Sequence, residues 1–488
     1  MFMSLAQLNL PLFTQLLSKK GIAPIEQFPE NPCLLFHQAP DAEDRAKIRF
    51  LLGQHIHFQR APEDQVERLI KHWRARLAPE IENNANAQGI AEFDNDYLRD
   101  LASDAPVIRM VNHLMERALD LNASDIHFEP EEKQLVVRCR VDGVMVNIER
   151  LPANVQAAVT SRVKLMARLD IGEKRLPQDG RIQYSLGERS LDMRVSTLPG
   201  VHGESVVLRI LDRSDVHVEL DKLGMPLDVL KPFNRIIQQP HGMILVTGPT
   251  GSGKTTTLYG TLEKINTGTQ KIITIEDPVE YQLDGITQIH VNAKIGLTFA
   301  AGLRSIVRQD PDIIMVGEIR DNETAEIAIE SALTGHLVFS TLHTNDAAGA
   351  ITRLQDMGID TYLISSSLMA VMAQRLVRKV CLHCAESQPL TEDEANLLGI
   401  RVSDCPTIRR GRGCERCANT GYRGRLGLYE FLPVSDSVRH VISSGGDANQ
   451  IRVQAIQEGM RTLRGDALEK LYNGITTPEE IVRVTRAT

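Results

Sequence analysis

One nine-residue stretch, "GPTGSGKTT" at residues 248–256, constrains the fold of this chain more than any other feature. It fits the pattern G-x-x-x-x-G-K-[ST], with an apolar run, "MILVT", before it and a helix-forming run, "TTTLYGTLEKI", after it. A strand entering a glycine-rich loop and a helix leaving it surround a phosphate with backbone N–H groups and the positive helix end. The sequence therefore predicts a nucleotide site on an α/β sheet.

Each residue of this loop has a predicted task. Lys254 would reach the β- and γ-phosphate oxygens of ATP, and the Thr255 hydroxyl would hold Mg²⁺. The other positions would supply backbone N–H groups and the turns between them: Gly248, Pro249, Thr250, Gly251, Ser252, Gly253 and Thr256.

Three further apolar runs, "KIITIED", "DIIMVGE" and "HLVFSTLH", alternate with helical stretches, as buried parallel strands do. Glu318 ends one run, where it would hold Mg²⁺ through water or polarise the attacking water. Glu276, Asp277 and Glu280 end another, and we favour Glu280 as the base that orients water. The pattern leaves open which of Glu276, Glu280 and Glu318 activates it. His343 ends the third run, at a position suited to sensing the γ-phosphate.

Four arginines stand where they could neutralise phosphate charge. Arg194 and Arg209 lie on neighbouring predicted strands, and Arg304 and Arg308 are one helical turn apart. ATPases often need guanidinium groups from a neighbouring domain or subunit in the transition state. A surface salt bridge is the alternative for each of them.

The chain divides into four predicted regions. Residues 1–75 show apolar helical patches and form a short N-terminal domain, and residues 76–104, rich in Asn, Ala and acids, form a linker. Residues 105–223 combine two helices with a hairpin turning at Asp142 and three more strands, which predicts a small α+β domain. Residues 224–488 form the α/β domain with a helical tail.

Composition excludes several classes of protein. The 488 residues carry a net charge of −8, which argues against a nucleic-acid binder. No apolar run reaches the roughly 18 residues that a membrane span needs, and the N-terminus does not resemble a signal peptide. We therefore expect a cytoplasmic protein, able to dock on a membrane.

Four of the seven cysteines form two closely spaced pairs. The pattern C-x2-C-x29-C-x2-C is made by Cys381, Cys384, Cys414 and Cys417. Four thiolates presented on two such turns predict a tetrahedral zinc site; a redox pair or unrelated cysteines are the alternatives. Cys405, inside the gap, is a possible substitute ligand.

The region around the second cysteine pair is basic. Residues 401–425 hold seven arginines against two acids, Asp404 and Glu415, a net of +5. This charge predicts a contact with anionic lipid headgroups or a membrane-embedded partner, and a solvated surface is the alternative.

Taken together, "GPTGSGKTTT", "ITIEDPVEY", "LRSIVRQDPDIIMVGEIRD", "GHLVFSTLHTNDA", "SDIHFEP", "RVDG", "PQDGR" and "DMRVSTLPG" resemble the motifs of the secretion-superfamily ATPases. These are the cytoplasmic motors of type II secretion systems and type IV pili. The resemblance covers residues 105–488. It implies a RecA-like P-loop domain with a zinc subdomain at residues 381–425, preceded by a PAS-like α+β domain.

The resemblance also implies a homo-hexameric ring with each active site between the middle and RecA-like domains. Glu280 matches the Asp-box glutamate and Glu318 the Walker B glutamate, while His343 lies in the His box. The matched arginines form two pairs, one reaching the phosphates on domain closure and one near the γ-phosphate: Arg194 with Arg209, and Arg304 with Arg308.

Two features narrow the resemblance within the family. Retraction motors of pili lack the paired cysteines, and pilus-assembly motors usually have a longer N-terminal region. The stretch "FLLGQHIHFQRAPEDQVERLIKHW" is similar to the close of the N-terminal domain of type II secretion ATPases. We predict an ATPase that powers pseudopilus assembly and protein export, peripherally bound to the inner membrane through platform and bitopic secretion proteins. A pilus-assembly ATPase, a DNA-transfer motor and a non-hydrolysing nucleotide sensor are the alternatives; no nucleic-acid partner is expected.

Overall fold

The structure is a computed structural model, and it describes residues 22–24, 33–36, 57–70, 105–186, 189–212 and 219–485. The chain divides into two compact units, residues 1–94 and residues 95–488. No helix in these described ranges is long and apolar enough to cross a membrane.

The first unit contains a three-stranded sheet of β1 (Ile22–Pro24), β2 (Cys33–Phe36) and β3 (His57–Arg60). The central strand, β2, pairs antiparallel with β1 and parallel with β3. Residues 63–70 are helical. The prediction of helical patches alone is therefore wrong for the three strands, because segments of three or four residues are too short to show a period that separates a strand from a helix.

The second unit begins with a six-stranded antiparallel sheet in the order β6-β5-β4-β9-β8-β7. Two helices, α1 (Ala105–Asp120) and α2 (Gln156–Met166), share one buried apolar core with this sheet. The predicted hairpin at Asp142 and the three later strands are confirmed, whereas β4 was not predicted. The strands are β4 (Ala123–Pro130), β5 (Gln134–Val141), β6 (Val144–Pro152), β7 (Gln178–Leu186), β8 (Arg189–Gly200) and β9 (Gly203–Asp212).

A seven-stranded sheet follows, in the order β12-β11-β13-β14-β10-β15-β18. All neighbours are parallel except β15 and β18. Four of its strands are the predicted apolar runs, and every residue in them is buried, as strands covered on both faces require. The strands are β10 (Gly242–Thr247), β11 (Ile272–Glu276), β12 (Thr287–His290), β13 (Ile313–Val316), β14 (Leu337–Leu342), β15 (Leu368–Val380) and β18 (Tyr422–Pro433).

Helices cover both faces of this sheet. Leu245 of β10 belongs to the apolar core on one face and Ile244 to the core on the other, because successive strand residues point in opposite directions. The predicted helical tail after Pro433 is confirmed. The helices are α3 (Leu227–Ile236), α4 (Lys254–Ile265), α5 (Phe299–Ile306), α6 (Asn322–Leu333), α7 (Ala347–Asp356), α8 (Thr361–Ser367), α9 (Glu392–Leu398), α10 (Asp436–Ser443), α11 (Ala448–Gln457), α12 (Leu463–Tyr472) and α13 (Pro478–Thr485).

A small insertion stands between β15 and β18. Two strands, β16 (Ala385–Pro389) and β17 (Thr407–Gly411), pair antiparallel, with α9 between them in the chain. This insertion fills the 29-residue gap between the two cysteine pairs. The hairpin formed by β5 and β6 reaches the base of this insertion. There the Asp142 carboxylate accepts a hydrogen bond from the backbone N–H of Gly424 at 2.7 Å.

Candidate nucleotide site and four-cysteine cluster

The glycine-rich loop connects the end of β10 to the start of α4. Gly248, Gly251 and Gly253 have φ values of 153°, 77° and 87°, which only glycine adopts without strain. A Cβ on Gly248 would lie 2.6 Å from the Ser252 hydroxyl oxygen. Gly253 caps α4 without a side-chain hydrogen bond, so no capping side chain competes with a ligand for the first N–H groups of the helix.

Lys254 lies across this loop. Its ammonium donates hydrogen bonds to the carbonyls of Gly248 at 2.8 Å and Pro249 at 3.2 Å. Burial lowers the pKa of Lys254 to about 8, although the Glu318 carboxylate acts in the opposite direction. Thr255 and Thr256 are exposed on the first turn of α4, where their hydroxyls are accessible to a ligand. The loop thus presents a cation, amides and hydroxyls on one surface.

Glu318 and His343 follow adjacent parallel strands, β13 and β14, and meet at the same sheet edge as the loop. One Glu318 carboxylate oxygen lies 3.2 Å from Nε2 of His343, and the other accepts a hydrogen bond from Arg320. Burial acts to raise the pKa of Glu318, but Arg320 and His343 outweigh it and lower the pKa below its usual value. Glu318 is therefore held as an oriented carboxylate.

The two glutamates at the end of β11 have different surroundings. Glu276 is 3% exposed, and its carboxylate accepts hydrogen bonds from the hydroxyls of Tyr259 and Thr274 and from Gln288. Both of its carboxylate oxygens are therefore engaged within the protein. The side chain of Glu280 is 41% exposed and has room for water. The geometry therefore favours Glu280 over Glu276 as the carboxylate that acts on water.

The four predicted arginines do not come together. Arg194 of β8 points at the loop after β11, with its guanidinium 3.9 Å from the Glu280 carboxylate. Arg209 of β9 instead donates to Asp125 on its own sheet at 3.0 Å. Arg304 pairs with Glu323, and Arg308 donates to the Arg304 carbonyl at 2.7 Å. Within the described ranges, Arg194 is the one of the four that contacts a predicted site carboxylate.

Sequence reasoning missed three side chains of the site. Arg320 follows Glu318 by two residues, and that spacing in "GEIRD" was the available signal. Tyr259 is buried in α4, and its hydroxyl bonds to the β11 end. Gln374 of β15 underlies the loop and accepts a hydrogen bond from Thr257 at 2.8 Å; nothing in the local sequence marks it.

The four predicted metal-ligating cysteines form one cluster. Their sulfur atoms all lie within 4.8 Å of one another, with Cys381–Cys414 and Cys384–Cys417 both at 3.9 Å. Tetrahedral zinc with Zn–S bonds of about 2.3 Å requires sulfur separations of about 3.8 Å, so the cluster fits zinc. Cys405 is outside it, since its thiol faces the Thr407 carbonyl at 3.5 Å.

Backbone amides also favour the thiolate form of Cys417 within the cluster. Burial acts to raise the pKa of the Cys417 thiol, but the N–H groups of Cys414 and Gly421, at 3.2 and 3.3 Å from its sulfur, lower the pKa to about 7. Since the thiolate is the metal-binding form, these amides favour metal binding at Cys417, whereas burial raises the pKa of Cys384 to about 12 while no cation is bound.

The basic loop carries less free charge than its sequence indicates. Arg410 pairs with Glu394 and Glu479, and Arg425 lies 3.7 Å from Asp142. Two further ion pairs are Arg401 with Asp404 and Arg412 with Glu386. Most of the net +5 is thus balanced by carboxylates of this chain.

The phosphate loop, the carboxylates at strand ends and the parallel sheet define a P-loop nucleoside triphosphatase. Comparison with known proteins gives the particular family: residues 100–483 match the description "Type II/IV secretion system protein". The chain belongs to this family and is an ATPase. The predicted family, α/β class and enzymatic activity are thereby confirmed.

Individual relatives with names from type II secretion match most of the chain. The chain is 50% identical over 444 residues to type II secretion system protein E of Xanthomonas campestris, covering 90% of this chain and 78% of that protein. It is 45% identical over 464 residues to the protein of that name from Aeromonas hydrophila, covering 93% and 92%. It is 48% identical over 392 residues to type II secretion system ATPase E of Vibrio cholerae, covering 80% and 78%.

Two solved structures share the fold. The pilus retraction motor PilT with bound ADP is 29% identical, with a TM-score of 0.51 over 76% of this chain and 95% of that one. The ATPase DotB of Legionella pneumophila is 23% identical, with a TM-score of 0.58 over 78% and 96%. The second likeness concerns the fold alone.

Proposed function

We propose that this chain is the ATPase that powers pseudopilus assembly and protein export in a type II secretion system. One observation carries the proposal: 45% identity to the Aeromonas hydrophila type II secretion system protein E across 93% of this chain. The relatives named here as protein E or ATPase E all belong to type II secretion, which favours this function over pilus assembly.

In the proposed reaction, ATP binds with its β- and γ-phosphates against the loop amides and Lys254. Glu280 orients the attacking water, and Glu318 holds a second water while His343 faces the γ-phosphate. A bound Mg²⁺, held by the Thr255 hydroxyl and by Glu318 through water, would neutralise phosphate charge. Glu276 is given no catalytic role here, because its carboxylate already accepts three hydrogen bonds within the protein.

Arginines would complete the site during domain closure. Arg194 already lies beside Glu280, and closure would bring it to the phosphates. Arg209 would have to break its ion pair with Asp125 before it could reach the phosphates. Arg304 and Arg308 would act near the γ-phosphate in a homo-hexamer.

Residues 1–75 would dock on the cytoplasmic domains of inner-membrane platform and bitopic proteins, and residues 76–104 would link them to the middle domain, residues 105–223. Residues 224–488 would form the ATPase domain. Its cysteine subdomain, residues 381–425, would hold Zn²⁺ as a cross-link between the two cysteine turns.

The ATPase would therefore sit at the cytoplasmic face of the inner membrane. A contact of the cysteine subdomain with acidic phospholipid would rest on Arg409, Arg416 and Arg423, since the other four arginines there pair with carboxylates of the chain. No contact with nucleic acid is proposed.

Deleting the gene from its own host tests this function. We expect exported enzymes to disappear from the culture medium while surface pili persist. A plasmid copy should restore export, and a copy carrying Glu318→Gln should not. Loss of pili with intact export would instead identify a pilus-assembly ATPase and overturn the proposal.

A further inference from the structure

The hydroxyl of Tyr259 joins separate segments of the nucleotide site. Tyr259 lies on α4, five residues after Lys254, and its side chain is fully buried. The hydroxyl donates a hydrogen bond to the Glu276 carboxylate and accepts one from the backbone N–H of Glu280 at 3.3 Å. One side chain thereby connects the helix that begins at the phosphate loop to the loop that carries Glu280.

Gln288 of β12 holds the other half of that loop. Its Nε2 donates to the carbonyl of Tyr281 at 3.2 Å, and its Oε1 accepts from the backbone N–H of Leu283 at 2.7 Å. Glu280 itself is held at its backbone by Tyr259. Gln288 also donates to the Tyr259 hydroxyl at 3.4 Å and to the Glu276 carboxylate at 3.1 Å. Tyr259 is thus the group that contacts the backbone of Glu280 directly, and Gln288 contacts two residues that follow in the loop.

We propose that Tyr259 is a positioning residue for Glu280, an inference that rests on the proposed role of Glu280 in orienting water. The Glu280 side chain is 41% exposed and its one ion-pair contact, with Arg194, is 3.9 Å long, so its position depends strongly on where its backbone is held. That backbone is hydrogen-bonded to a fully buried phenol, whose ring packs edge-on against Tyr281 with centroids 4.6 Å apart. Through Tyr259, α4 therefore helps to fix the distance between the phosphate loop and the carboxylate that orients water.

Tyr259→Phe tests this inference, because it removes the hydroxyl and keeps the ring. We expect kcat for ATP hydrolysis to fall about tenfold while KM for ATP stays within about twofold, since a misplaced Glu280 affects the reaction more than binding. An unchanged kcat would overturn the inference.

Tyr281→Phe is the matched control. It removes the other hydroxyl of the same aromatic pair, and within the described part of the chain no group hydrogen-bonds to the Tyr281 hydroxyl. We expect kcat within about twofold of wild type. Equal losses in both variants would show a general packing effect and overturn the inference.

A double-mutant cycle separates positioning from destabilisation. If Tyr259 acts through Glu280, Tyr259→Phe should have no further effect on kcat in a Glu280→Ala protein. A full additional loss in that background would overturn the inference. Tyr259→Phe also removes a hydrogen bond from the buried Glu276 carboxylate. If the variant does not fold for that reason, combining it with Glu276→Gln removes the buried charge. We expect the same loss of kcat in this double variant, and wild-type turnover would contradict the inference.

The same measurements distinguish the two proposals. A wild-type protein that does not hydrolyse ATP would overturn the proposed function and this inference with it. A large loss on Glu280→Ala with no loss on Tyr259→Phe would overturn this inference alone.

Discussion

Nε2 of His343 lies 3.2 Å from one carboxylate oxygen of Glu318, while Arg320 donates a hydrogen bond to the other oxygen. The carboxylate is thus held from both sides at the end of β13. His343→Ala should release one side, and we expect kcat to fall about tenfold with little change in ATP affinity. Steady-state phosphate release at saturating ATP measures this.

His336→Ala is the matched control, because His336 precedes the same strand that His343 follows. Its Nδ1 lies 2.9 Å from the Ser331 carbonyl, at the strand end away from the site. We expect turnover within about twofold of wild type. Equal losses in the two histidine variants would contradict a specific role for His343.

The contact between Arg194 and Glu280 joins the six-stranded sheet to the nucleotide site. Arg194→Ala should lower kcat at least about tenfold and leave binding of an ATP analogue intact, because the guanidinium acts on charge that develops in the reaction. Arg150→Ala, on β6 at the edge of the same sheet that lies away from β8, should have no effect on turnover. A parallel loss of analogue binding in Arg194→Ala would argue against this role.

The cysteine cluster should bind one zinc ion in each chain, measured by elemental analysis of the purified protein. Cys381→Ser should lose the zinc and lower the melting temperature, because the metal joins two distant turns. Cys405→Ser should retain it, since Cys405 lies outside the cluster. Zinc retained in Cys381→Ser, or lost in Cys405→Ser, would contradict the assigned ligands.

Glu480 should make stability depend on pH. It is 1% exposed; burial acts to raise its pKa, but Arg483 and Arg378 lower it to about 2 from 4.5. Its stabilisation is therefore fully present above pH 4.5 and is lost as pH falls towards 2. Denaturant titrations should show that Glu480→Gln reduces the free energy of unfolding, by about 1 kcal/mol less at pH 3.5 than at pH 6.

Glu479→Gln controls for the loss of any nearby charge. Its side chain is 55% exposed and pairs with Arg410, so its effect should stay below about 1 kcal/mol. A destabilisation by Glu480→Gln that does not change with pH would contradict the ion-pair account.

The sequence predicted those parts of the molecule that depend on local pattern. Apolar runs identified the four central strands, and parallel pairing then explains why Glu318 and His343 meet at one edge. The cysteine cluster followed from spacing alone, because two short turns present four thiols in few arrangements.

The missed parts depend on side chains that meet across long stretches of chain. Arg209 could reach a phosphate or Asp125, 84 residues away, and only the tertiary structure shows that it pairs with Asp125. The contact between Asp142 and Gly424 spans 282 residues. Ion pairs between distant residues also neutralise most of the positive charge of the basic loop. The composition shows that charge but not the carboxylates that pair with it.

ATP hydrolysis by the purified wild-type protein, compared with Glu318→Gln, tests the central claim most directly. The wild-type protein should release phosphate continuously from ATP, and Glu318→Gln should bind an ATP analogue but release phosphate at least about a hundredfold more slowly. Absence of phosphate release from the wild-type protein, or undiminished release from Glu318→Gln, would contradict the account.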